Sequence, residues 1–358
     1  MVRLEQTLIL FSIYKTFSPS NLISSQLQMM KYVKILFFLF LLVGTIIILR
    51  NHQGSETPKY RVAEGQTFGT QYRIVYESAE PQDSAIKSVL HDIDFSLSMF
   101  NKESTLARIN AGVSNKVDSL FCVVFKLAQE VSETTSGAFD PTIAPAVNAW
   151  GFGPERKQEL SESELDSIAQ LVNYRNVTLE GDSVLVRANP NITLDFGAIA
   201  KGFGVDCIAH LLDEKGVKNY YINIGGEVIV KGINEKGRAW SIGVQNPNAM
   251  GEQSQEVIQL HNAAMATSGN YRNYYVNAEG KRVAHTIDPR TASPVSHSLL
   301  SATVIAPSCA IADAYATSFM VLGVEESKKI LKGLPELSVL FIYEEADSMK
   351  IYSTIKNH

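Results

Sequence analysis

Hydrophobic and polar residues alternate along several short segments of this chain, which is typical of strands with one buried face. Segment 177–188 alternates on both sides of Gly181 and therefore predicts a hairpin. Segment 219–232 is interrupted by the glycine pair 225–226 and predicts two paired strands. The same alternation predicts further strands at 66–77, 192–196, 240–244, 255–260, 282–287, 300–305 and 339–344.

In other segments, hydrophobic residues recur every three or four positions, which is the spacing of an amphipathic helix. This spacing predicts one helix over 81–99 and a second that starts at Asp118 and ends before Gly137. Ser161 and Glu164 form a capping-box pattern, which predicts a third helix start. Two further helices are predicted downstream, at 197–206 and around Asp313.

The predicted strand pairs are interleaved with single helices, without a regular strand–helix–strand repeat. That order favours the α+β class, with mixed or antiparallel sheets, over a doubly wound fold. The chain has 358 residues and is 45% hydrophobic, which suits a globular core. Its formal net charge is −5 and it has no long basic run, so we expect no nucleic-acid partner. Its three widely spaced cysteines argue against a disulfide framework or a cysteine zinc site.

The hydrophobic segment 32–49 differs from the rest of the chain. A helix of its length spans about 27 Å, close to the roughly 30 Å hydrocarbon core of a bilayer. Lys31 and Lys34 flank its start, and this positive charge places that end in the cytoplasm and exports the body. We favour an uncleaved membrane anchor, because no convincing cleavage pattern follows. A cleaved signal peptide is the alternative.

This segment divides the chain into parts. Residues 1–31 form a leader, in which Met30 would be a more typical start than Met1. Residues 50–59 form a polar linker. Residues 60–358 show no composition break, low-complexity tract or repeat, and we expect them to form one domain on the periplasmic side of the cell inner membrane.

Asp313 and Thr317 stand four positions apart in a predicted helix, so their side chains share one face beside Ala310 and Ala314. A buried carboxylate is costly unless it is paired or binds a metal. One carboxylate and one hydroxyl are too few for a calcium site. They suit magnesium, which takes its other ligands from water and substrate phosphates. The alternative is an aspartate that caps its own helix.

Three other polar residues lie in unusual surroundings. Asp140 lies in the Pro-rich, apolar stretch 137–153, which suits either the wall of a pocket for a flat ring or a packed connection with a local aspartate cap. Lys201 lies at a predicted helix start, where it can attract phosphate or stand exposed in an ordinary turn. His285 is a candidate for proton transfer, or a structural histidine.

Eight motifs, in their order along the chain, resemble those of the ApbE family of FAD:protein FMN transferases. They are FGTQY, SMFNKESTLARIN, GAFDPTIAP with WGFG, DFGAIAKGFGVD, NIGGE, ATSGNY, HTIDPRT and ADAYATSF. The resemblance runs from Phe68 to Gly323. It implies an ApbE-like fold for 60–358 and an enzyme that uses FAD and Mg²⁺. Such an enzyme attaches FMN through a phosphoester to a threonine or serine of a partner flavoprotein, such as a subunit of a membrane redox complex, and releases AMP.

The resemblance also implies roles for particular residues. The Asp313 carboxylate, the Thr317 hydroxyl and the backbone carbonyl of Ala198 match the magnesium ligands. His285 matches the histidine beside the reacting phosphate, where it would orient that phosphate or take the proton of the acceptor hydroxyl. Contacts to FAD are implied for Phe68, Phe100, Ala138, Phe139, Asp140, Lys201 and His285.

Some positions depart from the family pattern. Ala292 replaces a glycine that can need a positive φ, and Phe68 replaces a flexible methionine with a stiffer ring. Two other functions are compatible with the same motifs. One is an Mg²⁺-dependent FAD pyrophosphatase that yields FMN and AMP, and the other is a membrane-tethered protein that binds flavin without turnover.

Overall fold

The computed structural model describes residues 19–52, 58–152, 161–245, 255–270, 274–276, 282–346 and 348–355. The chain divides into two compact units, Met1–Thr57 and Pro58–His358. In the first unit, helix α1 (Pro19–His52) contains the whole of the predicted anchor, 32–49. Within the described residues, no helix combines the length and the hydrophobicity needed to cross a membrane.

Parts of the predicted N-terminal organisation lie outside the described residues. These are positions 1–18 of the leader and 53–57 of the linker. The anchor, its cleaved alternative and the exported position of the body stay predictions.

The second unit holds seven described α-helices and sixteen described strands. The helices are α2 (Asp83–Leu97), α3 (Thr105–Asn110), α4 (Ser119–Thr134), α5 (Ala144–Ala149), α6 (Glu162–Ala169), α7 (Ala200–Glu214) and α8 (Cys309–Leu331). The strands are β1 (Lys59–Thr67), β2 (Thr70–Ser78), β3 (Val177–Glu180), β4 (Val184–Arg187), β5 (Tyr220–Ile224), β6 (Glu227–Lys231), β7 (Trp240–Gln245), β8 (Gln255–Leu260), β9 (Ala263–Gly269), β10 (Tyr274–Val276), β11 (Arg282–Ala284), β12 (Ile287–Asp288), β13 (Ser293–Pro294), β14 (Leu299–Ala306), β15 (Ser338–Glu345) and β16 (Ser348–Ser353).

An eight-stranded sheet organises this unit, in the order β1-β2-β5-β6-β9-β14-β15-β16. Each neighbouring pair in it is antiparallel, which confirms the predicted α+β class. Helices α2, α4, α7 and α8 supply the apolar side chains that cover one face. The β7–β8 ribbon covers part of the opposite face, where Trp240 and Ile258 pack with Met265 and Leu340. The sheet therefore has a buried layer on both sides.

Several predicted helices and turns are confirmed. Helix α4 follows Asp118, whose side chain accepts a hydrogen bond from the Phe121 N–H at 2.9 Å. Helix α6 begins with a capping box, since Ser161 and Glu164 each bond the other's backbone N–H. The β3–β4 hairpin turns at Gly181, whose φ of 57° suits glycine.

Other predictions of strands were wrong. The segment 66–77 is not one strand, because β1 and β2 meet there at a two-residue turn. The segment 192–196 forms no strand. Its Leu194 N–H and C=O instead bond the side chain of Asn110, both at 2.8 Å, in place of a neighbouring strand. The segment 282–287 is divided between β11 and β12, which pair in separate ribbons.

The sequence interpretation also missed some elements. It expected a pocket wall or a packed connection over 137–153 and no helix, but α5 forms there with Pro145 in its first turn, where a missing N–H costs nothing. It missed β9, which lies between β6 and β14 and has buried residues on both faces, so its sequence does not alternate. It placed the last strand at 339–344, whereas β16 follows and forms the sheet edge.

Candidate active site

Helices α7 and α8 approach each other closely at Gly202. A Cβ atom there would lie 2.6 Å from the Cys309 carbonyl carbon and 2.8 Å from the Ala310 nitrogen, so only glycine fits. Asp206, one turn further along α7, accepts hydrogen bonds from the N–H groups of Cys309 and Ala310 at 2.8 and 2.9 Å. It thereby caps the start of α8, together with Ser308. Helix α8 is thus held at its N-terminus.

This packing places Asp313 in the interior, where its side chain is shielded from solvent and its residue is only 2% exposed. Its Oδ2 atom accepts a hydrogen bond from the Gly202 N–H at 3.1 Å and lies 3.6 Å from Lys201 Nζ. Lys201 Nζ also lies 3.1 Å from Glu227 Oε1. One ammonium group therefore stands between two buried carboxylates.

The charges of this group influence one another. Burial alone would lower the pKa of Lys201, but the carboxylates of Asp313 and Glu227 raise it above its ordinary value, so the lysine stays protonated. Burial raises the pKa of Glu227, and Lys201 opposes that shift. Nearby, burial also raises the pKa of Asp195, against a hydrogen bond from the Gly197 N–H at 2.6 Å.

A cavity of about 470 Å³ opens beside these charges. Its wall includes eight of the ten residues that the sequence singled out for the site. They are Ala138, Phe139, Asp140, Ala198, Lys201, His285, Asp313 and Thr317. These residues come from separate segments of the sequence, and the fold brings them to one cavity whose volume suits a cofactor-sized ligand.

The residues predicted to hold magnesium all border this cavity. Thr317 lies one turn after Asp313, and its Oγ1 atom is 3.1 Å from Ser268 Oγ. Ala198 lies just before α7. One carboxylate with neutral oxygen donors is a set that magnesium accepts, so these residues fit the ion. In the described part of the chain, no cluster of three or more histidine, cysteine, aspartate or glutamate side chains could hold a metal by itself.

Asp140 has a largely structural set of contacts. Its Oδ1 atom accepts hydrogen bonds from the N–H and hydroxyl of Thr142, at 2.7 and 2.6 Å. Its Oδ2 atom accepts a hydrogen bond from the Tyr174 N–H at 2.8 Å. Burial raises the pKa of Asp140, and these hydrogen bonds oppose the shift. Asp140 thus fixes the loop that presents Ala138 and Phe139 to the cavity, and its direct contact with FAD stays a prediction.

The wall of the cavity also includes His285. Its ring meets the Phe152 ring edge to face, with centroids 6.3 Å apart. Trp150 donates a hydrogen bond from its indole N–H to the Ala292 carbonyl at 2.8 Å, which joins the two loops. Ala292 has a φ of 52°, the left-handed conformation expected for the glycine it replaces. Gly153, the last residue of the WGFG motif, lies outside the described residues.

The two remaining predicted residues lie away from the lining of this cavity. Phe68 occupies the turn between β1 and β2 with a φ of 50°, and its ring lies 2.8 Å from the place a Gly204 Cβ would take. Phe100 is 75% exposed. Their contacts with flavin or adenine stay predictions.

Sequence reasoning missed some polar residues of the cavity, namely Asp195, Glu227 and Ser268. Each lies inside a motif that the sequence displays, and NIGGE even ends on the acid. The sequence does place Glu227 directly after the double glycine 225–226, at the start of a predicted strand, and this position could have marked it as a candidate. Its pairing with Lys201 depends on tertiary structure and could not be read from spacing.

The fold and the cavity define a class of proteins in which paired helices on an antiparallel sheet hold a buried carboxylate at a cofactor-sized cavity. The ApbE family profile matches residues 68–341. The chain belongs to the ApbE family.

Similar proteins of known sequence and structure belong to the same family. A Vibrio cholerae serotype O1 protein named FAD:protein FMN transferase is 34% identical over 313 residues, covering 84% of this chain and 93% of that protein. The Haemophilus influenzae protein of the same name is 36% identical over 283 residues, covering 74% and 82%. The solved flavin transferase ApbE of Vibrio cholerae superposes with a TM-score of 0.74 and 32% identity, covering 83% of this chain and 97% of that chain. The apo Pseudomonas stutzeri flavinyl transferase gives 0.75 at 28% identity, covering 83% and 95%.

Proposed function

We propose that this chain is an FAD:protein FMN transferase, which moves the FMN part of FAD to a threonine or serine hydroxyl of a partner flavoprotein and releases AMP. The observation that carries this proposal is the array of Asp313, Lys201 and Glu227 at the wall of a cofactor-sized cavity, in a chain of the ApbE family. The names of the relatives support the reaction.

In this reaction, the hydroxyl oxygen forms a bond to the FMN-side phosphorus, and the bond from that same phosphorus to the bridging oxygen breaks, so that the bridging oxygen stays with AMP. AMP leaves with the electrons of that bond, and the hydroxyl proton passes to His285 or to solvent. There is little covalent chemistry for the protein to do, so positioning and charge neutralisation supply most of the rate. The cavity provides both, because two packed helices supply Lys201, Asp313 and Thr317 to its wall and a strand supplies Glu227.

Each side chain has a distinct task. The ammonium of Lys201, held by two carboxylates, presents a fixed positive charge to the diphosphate. His285 borders the same cavity, and its imidazole can donate a hydrogen bond to a phosphate oxygen or accept a proton near neutral pH. Phe139 adds apolar surface for the cofactor.

Asp313, Thr317 and Ala198 would hold magnesium. When bound, this ion supplies a positive charge that offsets the negative charge of the diphosphate oxygens. Asp313 suits this task because it is fixed in place by the Gly202 N–H and contributes the only ionised oxygens of the three. Magnesium is preferred over softer ions because all three donors are oxygens.

The activity can be tested with the full-length chain, purified in mild detergent and mixed with FAD, Mg²⁺ and an acceptor flavoprotein domain. We expect the denatured acceptor to carry flavin fluorescence in a gel. EDTA should abolish the band and excess Mg²⁺ should restore it, and an acceptor whose target hydroxyl is replaced by alanine should stay dark.

Other outcomes would change the assignment. AMP release without a fluorescent acceptor would identify an FAD pyrophosphatase. FAD binding with neither AMP nor labelled acceptor would contradict catalysis and favour a flavin-binding protein.

The proposed location is the inner membrane, with segment 32–49 as the anchor and 60–358 on the periplasmic side. The support comes from the sequence, in which lysines precede the run of hydrophobic residues at 32–49. We expect the full-length protein to stay in the membrane pellet after carbonate extraction, and protease added to spheroplasts to digest the body. Recovery of the protein in the soluble fraction, or protection of the body until lysis, would contradict the proposal.

A further inference from the structure

The hydroxyl group of Thr317 makes an unusual hydrogen bond for a residue in the middle of a helix. Its Oγ1 atom lies 3.1 Å from Ser268 Oγ, which belongs to strand β9. The next residue, Ser318, follows the common helical arrangement and donates to the Ala314 carbonyl four positions earlier, at 2.7 Å. The same arrangement is found for Ser132, Thr134 and Ser327. Thr317 thus contacts a neighbouring strand where these residues contact their own helix.

The partner residue, Ser268, is held in place by the sheet. It pairs with Ala302 of β14, and β9 itself lies inside the eight-stranded sheet between β6 and β14. Ser268 and Thr317 both line the cavity, as Asp313 does, and both are partly exposed. The two hydroxyl groups therefore border the space in which we propose that magnesium binds.

The chemistry of a hydroxyl ligand determines the direction of this hydrogen bond. A hydroxyl has one proton and two lone pairs, so an oxygen that binds a cation must point a lone pair at the ion and its proton elsewhere. Without an ion, either oxygen of the pair can donate. A cation on Thr317 Oγ1 withdraws electron density from that oxygen, which makes it a better donor and a poorer acceptor. Donation from Thr317 to Ser268 is then favoured.

We propose that Ser268 is a positioning residue for the magnesium site. Its Oγ atom accepts the hydrogen bond of the Thr317 hydroxyl and so directs a lone pair of Thr317 Oγ1 toward the ion. This inference rests on the proposed function, in which Thr317 is a ligand. Groups that hydrogen-bond a metal ligand fix its orientation, and their loss typically weakens metal binding by about 10–100-fold. Ser268 contacts no ion in this role and acts through Thr317.

The variant Ser268→Ala removes the acceptor and leaves the rest of the site in place. The probe is Mn²⁺, which shares the preference of Mg²⁺ for oxygen ligands and whose free ion is measured by electron paramagnetic resonance. Full-length protein in detergent is titrated with and without saturating FAD, and a melting temperature is recorded for each variant. We expect the Kd for Mn²⁺ to rise about tenfold in Ser268→Ala. Ser268→Thr keeps a hydroxyl and should recover most of the lost affinity.

A double-mutant cycle tests whether Ser268 acts through Thr317. Thr317→Val removes the hydroxyl but keeps the branched shape of the side chain. We expect Thr317→Val to weaken Mn²⁺ binding by itself, and Ser268→Ala to add no further loss in that background, because the pair acts as one unit. The same loss from Ser268→Ala in both backgrounds would overturn the inference. Wild-type Mn²⁺ affinity in either single variant would overturn it too.

Ser318→Ala is the matched control, because it makes the same chemical change at the residue after Thr317, where the hydroxyl bonds its own helix outside the cavity lining. It can lower the melting temperature but should leave the Kd for Mn²⁺ unchanged. Equal loss of Mn²⁺ affinity in Ser318→Ala and Ser268→Ala would reduce the effect to a loosened α8 and contradict the inference. A wild-type protein that binds Mn²⁺ but neither labels an acceptor nor releases AMP would instead refute the proposed function.

Discussion

The substitution Asp313→Asn is expected to lower FMN transfer by at least about a thousandfold, since the ionised carboxylate of a metal site stabilises the transition state by several kcal/mol. The change keeps the size of the side chain but removes its charge. The Gly202 N–H and Lys201 Nζ both approach the same atom, Oδ2, so the amide oxygen can take that place and the amide nitrogen takes the place of Oδ1. The site would thus lose the ligand charge and present a donor in place of its second carboxylate oxygen.

The same substitution should change how the protein responds to magnesium. We expect residual transfer by Asp313→Asn to be insensitive to EDTA and to Mg²⁺ concentration, measured as in-gel fluorescence of the acceptor. Asp213→Asn is the matched control, because Asp213 lies exposed on α7 and pairs with Lys231 at 2.8 Å, a surface contact of small value. Near-normal, magnesium-dependent transfer by Asp313→Asn would show that the carboxylate does not hold the ion.

The sequence predicts those parts of the site whose residues lie close together along the chain, and not those whose partners are distant in sequence. Asp313 and Thr317 share a helix, so their common face follows from a period of 3.6 residues and needs no tertiary knowledge. The partner of Asp313 is different. The Gly202 N–H comes from another helix, 111 positions away, and only packing brings it within 3.1 Å.

Asp140 is a second residue whose role local sequence patterns predict only in part. The sequence left open whether it faces a ligand or caps a loop. Two of its three hydrogen bonds come from Thr142, two positions away, and could be anticipated as a local turn. The third comes from the Tyr174 N–H, 34 positions away, and depends on the tertiary structure. Local patterns therefore suggested the correct alternatives but could not choose between them.

The errors in the fold have a related cause. Strand 192–196 was predicted from its alternating pattern, but its Leu194 backbone bonds the Asn110 side chain, which no periodic pattern reveals. Strand β9 was missed because it is central and lacks alternation. In both cases the deciding factor is the neighbour of the segment rather than its own residues.

The substitution Gly202→Ala is expected to damage both the fold and the site, because the added methyl group would overlap the backbone of Cys309 and Ala310 at the start of α8. Backbone atoms cannot swing aside as a flexible side chain does, so the two helices must separate. We expect a loss of about 1–3 kcal/mol in unfolding free energy, seen as a melting temperature lowered by roughly 3–10 °C. The Gly202 N–H would also move away from Asp313.

The effect on transfer should exceed the effect on stability. A displacement of about 1 Å at a reacting centre can cost a hundredfold in rate, so we expect Gly202→Ala to lose about that much transfer even at temperatures where it remains folded. Gly333→Ala is the matched control, because a Cβ there meets only the Ile330 carbonyl oxygen, at an ordinary 3.5 Å. If Gly202→Ala kept both its melting temperature and its transfer rate, the close approach of α7 and α8 would not be what positions Asp313.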